Sequence, residues 1–261
     1  MTTTTTPDTT VRATPARDTW NVLTRELKPI VRDPFTLIFS LVQPLVFLGL
    51  FAPLLIGQSG DPAATLQWFV PGVLVMIVLF GTGAVGSNLQ YEMMTGSHER
   101  TLVAPLSRSS LLVGRALKEI APIIVQSLLI VAIALPFGFR ADPLGLVIGL
   151  ALLAVFGVGL GSLSYTLALG TKDREWLFWG VQQTLILPLM ILSGMLLPLD
   201  DGPAWMRVVA TVNPLNWVVR AERALLAGDL NDIVVLWGWV AGLALAAVGL
   251  WAGVRAIRRS S

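Results

Sequence analysis

The chain has 261 residues, of which 54% are hydrophobic and only 13% are charged. Soluble globular domains are nearer ~45–50% apolar with glycine counted, so this composition indicates a membrane protein. The absence of cysteine excludes disulfides, a thiol nucleophile and thiolate-ligated zinc or iron–sulfur sites. The net charge is only +2, and no basic run is interleaved with aromatic residues, so nothing in the sequence supports nucleic-acid binding.

The amino-terminal region divides into two parts. Residues 1–19 are rich in threonine and lack the apolar core of a secretory signal, which predicts a disordered cytoplasmic tail. From Asp18 to Arg32, apolar residues fall near helical spacing and charged residues occupy the other faces. This pattern predicts an interfacial helix bent near its end by Pro29, although a polar lead-in to the first span fits equally well. The residues assigned to the helix are Trp20, Leu23, Arg25, Leu27 and Arg32.

Six later segments are each long enough to cross ~30 Å of hydrocarbon, which takes about 20 residues at helical rise. They are Phe35–Ile56, Leu66–Gln90, Leu117–Phe139, Leu144–Leu169, Trp176–Leu197 and Ile233–Ile257. The predicted fold class is therefore an all-α membrane protein, with one transmembrane domain over residues 20–257 and a short cytoplasmic tail at residues 258–261.

Lysine and arginine collect on one side of the predicted spans. If the amino terminus is cytoplasmic, 14 of the 18 basic residues lie on the cytoplasmic side. The other four are Arg140, Arg207, Arg220 and Arg223. Because basic residues concentrate in cytoplasmic loops, both termini and the loop after the second span are predicted to be cytoplasmic.

That loop, Tyr91–Lys118, is the most polar long segment between the spans and contains the only histidine, His98. A short, partly apolar helix is predicted over Ser97–Val103. Pro105 ends it, because proline disfavours a helical conformation at the residue before it. A docking element for another protein and an ordinary solvated connection both fit this pattern.

The predicted spans carry almost no charge near their centres, where an ionised side chain costs roughly 2.5–3.5 kcal/mol. This argues against a proton relay or an ion-coupled carrier. Small residues at intervals of about four favour close helix packing, within one subunit or across a dimer, over a role in lining a substrate path. They are Gly145, Gly149, Gly157 and Gly161 in the fourth span, and Gly238, Gly242 and Ala246 in the sixth.

A few polar side chains lie within apolar surroundings. They either form hydrogen bonds between helices or contact a polar group on a transported molecule. The residues assigned to such a path are Gln43, Gln126, Gln182 and Gln183.

The second long loop, Pro198–Asp232, contains a helix with recognisable ends. Asn213 as cap and Pro214 at the first helical position predict its start, and Gly228 its end. Glu222 falls on or beside the apolar side, which predicts that an arginine pairs with it. Because this segment is apolar but lies outside the predicted spans, it is expected to dip into the membrane or lie on its surface.

Three stretches together resemble the ABC-2 type exporter permeases. The first is Arg32-Asp33-Pro34 before the first span. The second is the run Glu99–Arg108, continuing to Gly114-Arg115. The third comprises Ser193–Pro198, Pro203, Asn213-Pro214-Leu215 and Arg223–Gly228. The chain departs from the family at Gly96-Ser97-His98, where Gly-Thr-Leu is more common.

The resemblance implies a permease half that pairs with a second copy or a homologous permease, above two ABC ATP-binding subunits. Gly96–Leu106 would be the coupling helix, with the interfacial helix as a second ATPase contact and Pro203–Gly228 as outer re-entrant helices. The coupling residues are Gly96, Ser97, His98, Glu99, Arg100, Thr101, Leu102, Val103, Pro105 and Leu106. The re-entrant residues are Pro203, Asn213, Pro214, Glu222, Arg223 and Gly228. The pattern looks most like the daunorubicin-resistance type, which implies an amphipathic drug, lipid or lipid-linked substrate.

None of the three lysines follows a glycine, so the Gly-Lys-Ser/Thr ending of a phosphate-binding loop is absent from the sequence. The chain is therefore expected to bind no cofactor or metal itself, with ATP and Mg in the partner ATPase. A rhomboid-like protease at Gly161-Ser162 is disfavoured, because the only histidine lies in the cytoplasmic loop. A non-transporting membrane scaffold remains the alternative. The expected location is the cell membrane, in a bacterium the inner membrane.

Overall fold

The computed structural model describes residues 24, 34–95, 117–118, 120–172, 174–199 and 202–259. These residues form eight α-helices and contain no strand, which confirms the predicted all-α class. The helices are α1 (Pro34–Ser59), α2 (Pro62–Met94), α3 (Ile120–Ala134), α4 (Pro143–Gly170), α5 (Glu175–Ile191), α6 (Ala204–Val212), α7 (Pro214–Ala227) and α8 (Ile233–Arg259). A single 3-10 turn, Leu135–Phe137, extends α3.

Five of these helices are long and apolar enough to cross a membrane: α1, α2, α3 with its 3-10 extension, α4 and α8. The fifth predicted span, Trp176–Leu197, has a shorter helix than expected. Helix α5 has 17 residues and ends at Ile191, after which the chain turns through Gly194 at a φ of 69°. The structure thus supports five of the six predicted spans by length and composition.

Local sequence explains where two of the spans begin. Asp61 accepts hydrogen bonds from the backbone N–H groups of Ala63 and Ala64, at 2.9 and 3.1 Å, and Pro62 occupies the first helical position of α2. Asp142 accepts from Gly145 N–H at 2.7 Å before α4. A capping side chain satisfies donors that have no partner within the helix, so both starts are fixed by neighbouring residues.

Helix α2 forms the centre of the bundle and packs against α1, α3, α4, α5 and α7. Its side chains are buried on all sides, with Phe69, Val70 and Leu74 completely inaccessible to solvent. In contrast, α1 and α5 are peripheral, and α5 buries only Phe178 and Met190. A helix that is apolar all round belongs inside a bundle or in a membrane, and α2 lies inside the bundle.

Glycines of α4 and α8 bring helix backbones close together, although the closest contact between these two helices lies at Gly159 and Gly249, which are not among the predicted small residues. A Cβ at Gly159 would lie 2.8 Å from the backbone nitrogen of Ala246, and Gly249 faces Gly159 directly. Gly238 packs against Ala221 of α7, and Gly145 packs against the carbonyl group of Leu225. Side chains at these positions would separate α4, α7 and α8, so the small residues set the helix spacing.

Candidate functional site

The segment before the last span folds as a hairpin of the two short helices α6 and α7, which meet at Asn213. The Asn213 side-chain oxygen accepts from Leu215 N–H at 3.0 Å, and its amide donates to the Leu189 carbonyl at 3.0 Å. One side chain therefore caps α7 and ties the hairpin to the end of α5. At the other end, Gly228 has a φ of 90° and its N–H bonds to Leu225. The predicted start and end of α7 are confirmed.

Helix α7 has two distinct faces. Its apolar face is buried against α2, α4 and α8. The residues of this face are Leu215, Val218, Val219, Leu225 and Leu226, each no more than 1% exposed. The other face carries Asn216, Arg220 and Arg223, which follow one another at helical spacing. The hairpin is therefore anchored in the bundle by one side of α7, and the arginines lie on the other.

Glu222 lies on the buried face and pairs with no arginine among the residues that the structure describes. The residue is 1% exposed, and neither carboxyl oxygen has a hydrogen-bond partner among the described residues. The predicted pairing is wrong because Glu222 points towards α4, where Gly149 leaves space. A Cβ on Gly149 would lie 2.5 Å from the Glu222 Oε2 atom. Burial raises the pKa of Glu222 from 4.5 to about 8.

Arg223 connects three parts of the bundle. Its Nε donates to the Trp68 carbonyl of α2 at 3.0 Å, and its Nη2 donates to the Gly194 carbonyl at 2.8 Å. The guanidinium group also stacks 4.1 Å from the centre of the Trp68 ring, an arrangement in which the ring face attracts the cation. Arg223 therefore joins α7, α2 and the turn after α5. Sequence reasoning missed the role of Trp68. Its only signal in the sequence was its position near the start of a predicted span.

A polar cavity of about 260 Å³ lies beside this contact, between α6, α7, the start of α2 and the turn after α5. We name it the arginine cavity. Its principal lining residues are Trp68, Gly194, Arg207, Asn216, Arg220 and Arg223. The charged side chains that line it, within the described part of the chain, are all arginines. It opens at the end of the bundle where α2 begins, which the distribution of basic residues predicts to be the outer end.

The four glutamines predicted for a substrate path are spread over three helices. Gln126 is buried in α3 and donates from its amide to the Ser40 hydroxyl of α1, so it forms a hydrogen bond between helices. Gln182 is half-buried against Gly83 of α2, and its Oε1 lacks a hydrogen-bond partner among the described residues. Gln43 and Gln183 are exposed on α1 and α5. Only the exposed pair is available to a molecule at the surface.

The end of the bundle where α2 finishes contains a polar contact that sequence reasoning missed. The Gln90 amide donates to the Ala168 carbonyl at 3.1 Å and to the Thr171 hydroxyl at 3.0 Å. This joins the carboxyl end of α2 to the end of α4, next to the polar loop Tyr91–Lys118. The only sign of this contact in the sequence was a glutamine, Gln90, at the end of an apolar span.

Two groups of predicted site residues lie outside the described residues. These are the coupling segment Gly96–Leu106 and the assigned residues of the interfacial helix between Trp20 and Arg32. Both assignments stay predictions. Within the described ranges, no group of three or more histidine, aspartate or glutamate side chains could hold a metal ion.

Comparison with known proteins gives a consistent result. The family model for the ABC-2 type transporter matches residues 17–226. The daunorubicin resistance ABC transporter permease protein DrrB1 of Streptomyces coeruleorubidus is 28% identical over 237 residues, covering 90% of this chain and 81% of that protein. The putative transport permease ycf38 of Cyanophora paradoxa is 32% identical over 202 residues, covering 74% and 69%.

A third relative is the probable doxorubicin resistance ABC transporter permease protein DrrC of Mycobacterium tuberculosis, 25% identical over 236 residues, covering 86% of this chain and 83% of that protein. The family match extends from the predicted interfacial helix to the end of α7. With several helices apolar enough to cross a bilayer, the chain is a multi-pass membrane protein that belongs to the ABC-2 type transporter family.

Proposed function

We propose that the chain is the permease subunit of an ATP-binding cassette exporter in the cell membrane, in a bacterium the inner membrane. It moves an amphipathic drug, lipid or lipid-linked substrate outward by alternating access. The observation that carries this proposal is the family match over residues 17–226, which contains both the polar loop and the α6–α7 hairpin. Relatives over most of the chain are named as drug-resistance permeases.

The energy for transport comes from a separate subunit. No lysine in this sequence follows a glycine, so a phosphate-binding loop has no place in it. ATP and Mg bind to the partner ATPase, whose two copies close on ATP. Closure moves the Gly96–Leu106 segments of two permease halves and switches the spans from inward to outward access. Transport also requires that the contacts between the permease and its cargo differ between the inward-open and outward-open states.

Helix α2 suits the role of lever in this mechanism. Its carboxyl end, at Met94, is two residues from the coupling segment, whereas Trp68 near its amino end supports Arg223 of the hairpin. A helix of 33 residues spans about 50 Å at 1.5 Å per residue, enough to cross the bilayer. Because α2 is packed on all sides, a displacement at the cytoplasmic end also displaces its neighbours at the hairpin.

The peripheral helices supply the fifth predicted span and line the pathway in this proposal. Helix α5, with 17 residues, covers about 26 Å, roughly one turn short of the ~30 Å hydrocarbon layer. The turn at residues 192–199 completes the crossing, and six spans then place both termini in the cytoplasm. Helices α1 and α5 leave broad apolar faces and Gln43 and Gln183 exposed. These faces meet the second permease half and the cargo.

The coupling segment provides the decisive test. The chain is reconstituted in lipid with its candidate ATPase, and ATP hydrolysis is compared among wild type, Leu102→Asp and Glu99→Ala. Burying a leucine at an interface contributes roughly 1.5–3 kcal/mol, so an aspartate there weakens association at least tenfold. We expect Leu102→Asp to reduce hydrolysis to the level of the ATPase alone, and Glu99→Ala to reduce it in part.

Ser110→Asp is the matched control, because it introduces the same charge in the same loop but outside the coupling segment. Hydrolysis that is equally sensitive to Ser110→Asp and Leu102→Asp would contradict the assignment of Gly96–Leu106. A chain that neither binds nor stimulates an ATPase would overturn the permease proposal. An ATPase that binds through Leu102 without any transport would instead favour a membrane scaffold.

A further inference from the structure

Glu222 is a buried ionisable residue that the transport mechanism proposed above does not use. Its carboxyl group lies between α7 and α4, and neither oxygen has a hydrogen-bond partner among the described residues. A buried polar group without a partner costs stability, and an ionised one costs far more. The docked position of α7 on α4 therefore suits Glu222 only while the carboxyl group carries a proton.

The contact between α7 and α4 excludes water from this carboxyl group. Gly145 and Gly149 lie about one turn apart on α4, and both face α7. A Cβ at Gly145 would collide with the Leu225 carbonyl group, and a Cβ at Gly149 would lie 2.5 Å from the Glu222 Oε2 atom. The α7 backbone therefore rests directly on α4 at the first glycine, and the carboxyl group fills the space left by the second.

Among the described residues, no counter-charge reaches this carboxyl group. Helix α7 packs against α2, α4, α6 and α8. Tyr165 is the ionisable residue of α4, and it lies about 24 Å along the helix from Gly149. The ionisable residues of α2 and α8 lie at the opposite end of the bundle: Tyr91, Glu92, Arg255, Arg258 and Arg259.

The remaining charged residues near α7 have other positions. The arginines of α6 and of α7 itself line the arginine cavity: Arg207, Arg220 and Arg223. The side chains of three aspartates accept hydrogen bonds from backbone N–H groups at the starts of α2, α4 and α8: Asp61, Asp142 and Asp232. The turns at this end also contain Arg140 and Asp229, both exposed. The Glu222 carboxyl group is therefore shielded from water without being neutralised by a neighbour.

Glu222 is buried but lies near an exposed end of its helix. It is five residues before Ala227, the last residue of α7, which is about 8 Å at 1.5 Å per residue. Ala227 is exposed. The hydrogen bond from the Asp142 N–H to the Leu226 carbonyl, at 3.0 Å, joins this end of α7 to the start of α4. A tilt of this end away from α4 would bring water to Glu222 while the start of α7 stays in place.

We propose that Glu222 is a proton-binding site that locks the C-terminal end of α7 onto α4. The carboxyl group is protonated while α7 is docked. Loss of that proton to water leaves a carboxylate, which the contact with α4 does not accommodate, and the end of α7 then tilts away until water solvates the charge. The lock makes the α6–α7 hairpin sensitive to pH at the end of the bundle that is predicted to face outward. It needs no ATPase, so its test stands apart from that of the permease function.

The test is amide hydrogen exchange of the purified full-length chain in detergent, which measures the opening of each helix under native conditions. Wild type and Glu222→Gln are compared at each pH, so that the intrinsic pH dependence of exchange cancels. Burial raises the pKa of Glu222 from 4.5 to about 8. We therefore expect the exchange rate of α7 in wild type, relative to the variant, to rise about tenfold per pH unit between these two values.

Helix α2 is the internal control, because its buried centre reports unfolding of the whole bundle. In wild type at pH 8, the C-terminal end of α7 should exchange at least about tenfold faster than the centre of α2. Equal rates in the two helices would show that Glu222 ionises only when the whole protein unfolds, and would overturn the proposal.

Asp229→Asn is the matched control variant, because Asp229 is an exposed carboxylate just beyond the end of α7. Its α7 exchange should follow that of wild type at every pH. A ratio of wild type to Glu222→Gln that stays constant with pH would overturn the proposal. Loss of the pH dependence in Asp229→Asn would assign the titration to another group and would overturn it as well.

Discussion

Glu222 gives the structure its clearest dependence on pH. The carboxyl group is 1% exposed and lacks a hydrogen-bond partner among the described residues, and burial raises its pKa from 4.5 to about 8. Between these values the folded protein retains a proton that the unfolded chain has released. Stability therefore falls as pH rises through this window. The sign is opposite to that of a carboxylate held in a salt bridge.

The size of the effect follows from the same two values. Well below pH 4.5 the group is protonated in both states and has no effect on the free energy of unfolding. Each pH unit above 4.5 lowers the free energy of unfolding by about 1.4 kcal/mol, until the group in the folded protein also ionises. The total reaches about 5 kcal/mol above pH 8, on the order of 10 °C in Tm. Glu222→Gln keeps the size of the side chain and removes its titration.

The assay compares Tm in detergent for wild type and Glu222→Gln between pH 4.5 and 9. We expect the two proteins to differ little at the acid end, and the variant to become progressively more stable above pH 5. Glu175→Gln is the control, because Glu175 is exposed at the start of α5. A difference between wild type and Glu222→Gln that is constant across this range would refute the reasoning.

Two predictions concern packing and capping. Asn213→Ala should cost about 1–2 kcal/mol, since it removes the cap of α7 and also the bond to Leu189; Asn231→Ala, at an exposed site, should change Tm little, and equal effects would contradict the capping role. Gly159→Ala should destabilise by about 1–3 kcal/mol, because its Cβ would press on the α8 backbone. Gly180→Ala is the control, because the position has open space around it, and it should be neutral or slightly stabilising. Thermal unfolding of all four variants tests both predictions.

The sequence alone determined the features that depend on neighbouring residues. The start and end of α7 were predicted correctly from Asn213, Pro214 and Gly228, because capping and a left-handed glycine act within one helical turn. The apolar face of α7 was predicted correctly for the same reason, whereas the closest approach of α4 to α8 lies at Gly159 and Gly249, which the predicted ridges did not include. A pattern of apolar or small residues at helical spacing defines one face of a helix whatever lies opposite.

The tertiary structure alone decided which side chains meet. Glu222 and Arg223 are adjacent in sequence, yet one faces Gly149 of α4 and the other faces Trp68 of α2, because neighbouring residues on a helix point about 100° apart. Likewise, the sequence identified Gln126 as polar but not that Ser40 receives its hydrogen bond. Partners of this kind come from distant parts of the chain, and only the packing of whole helices selects them.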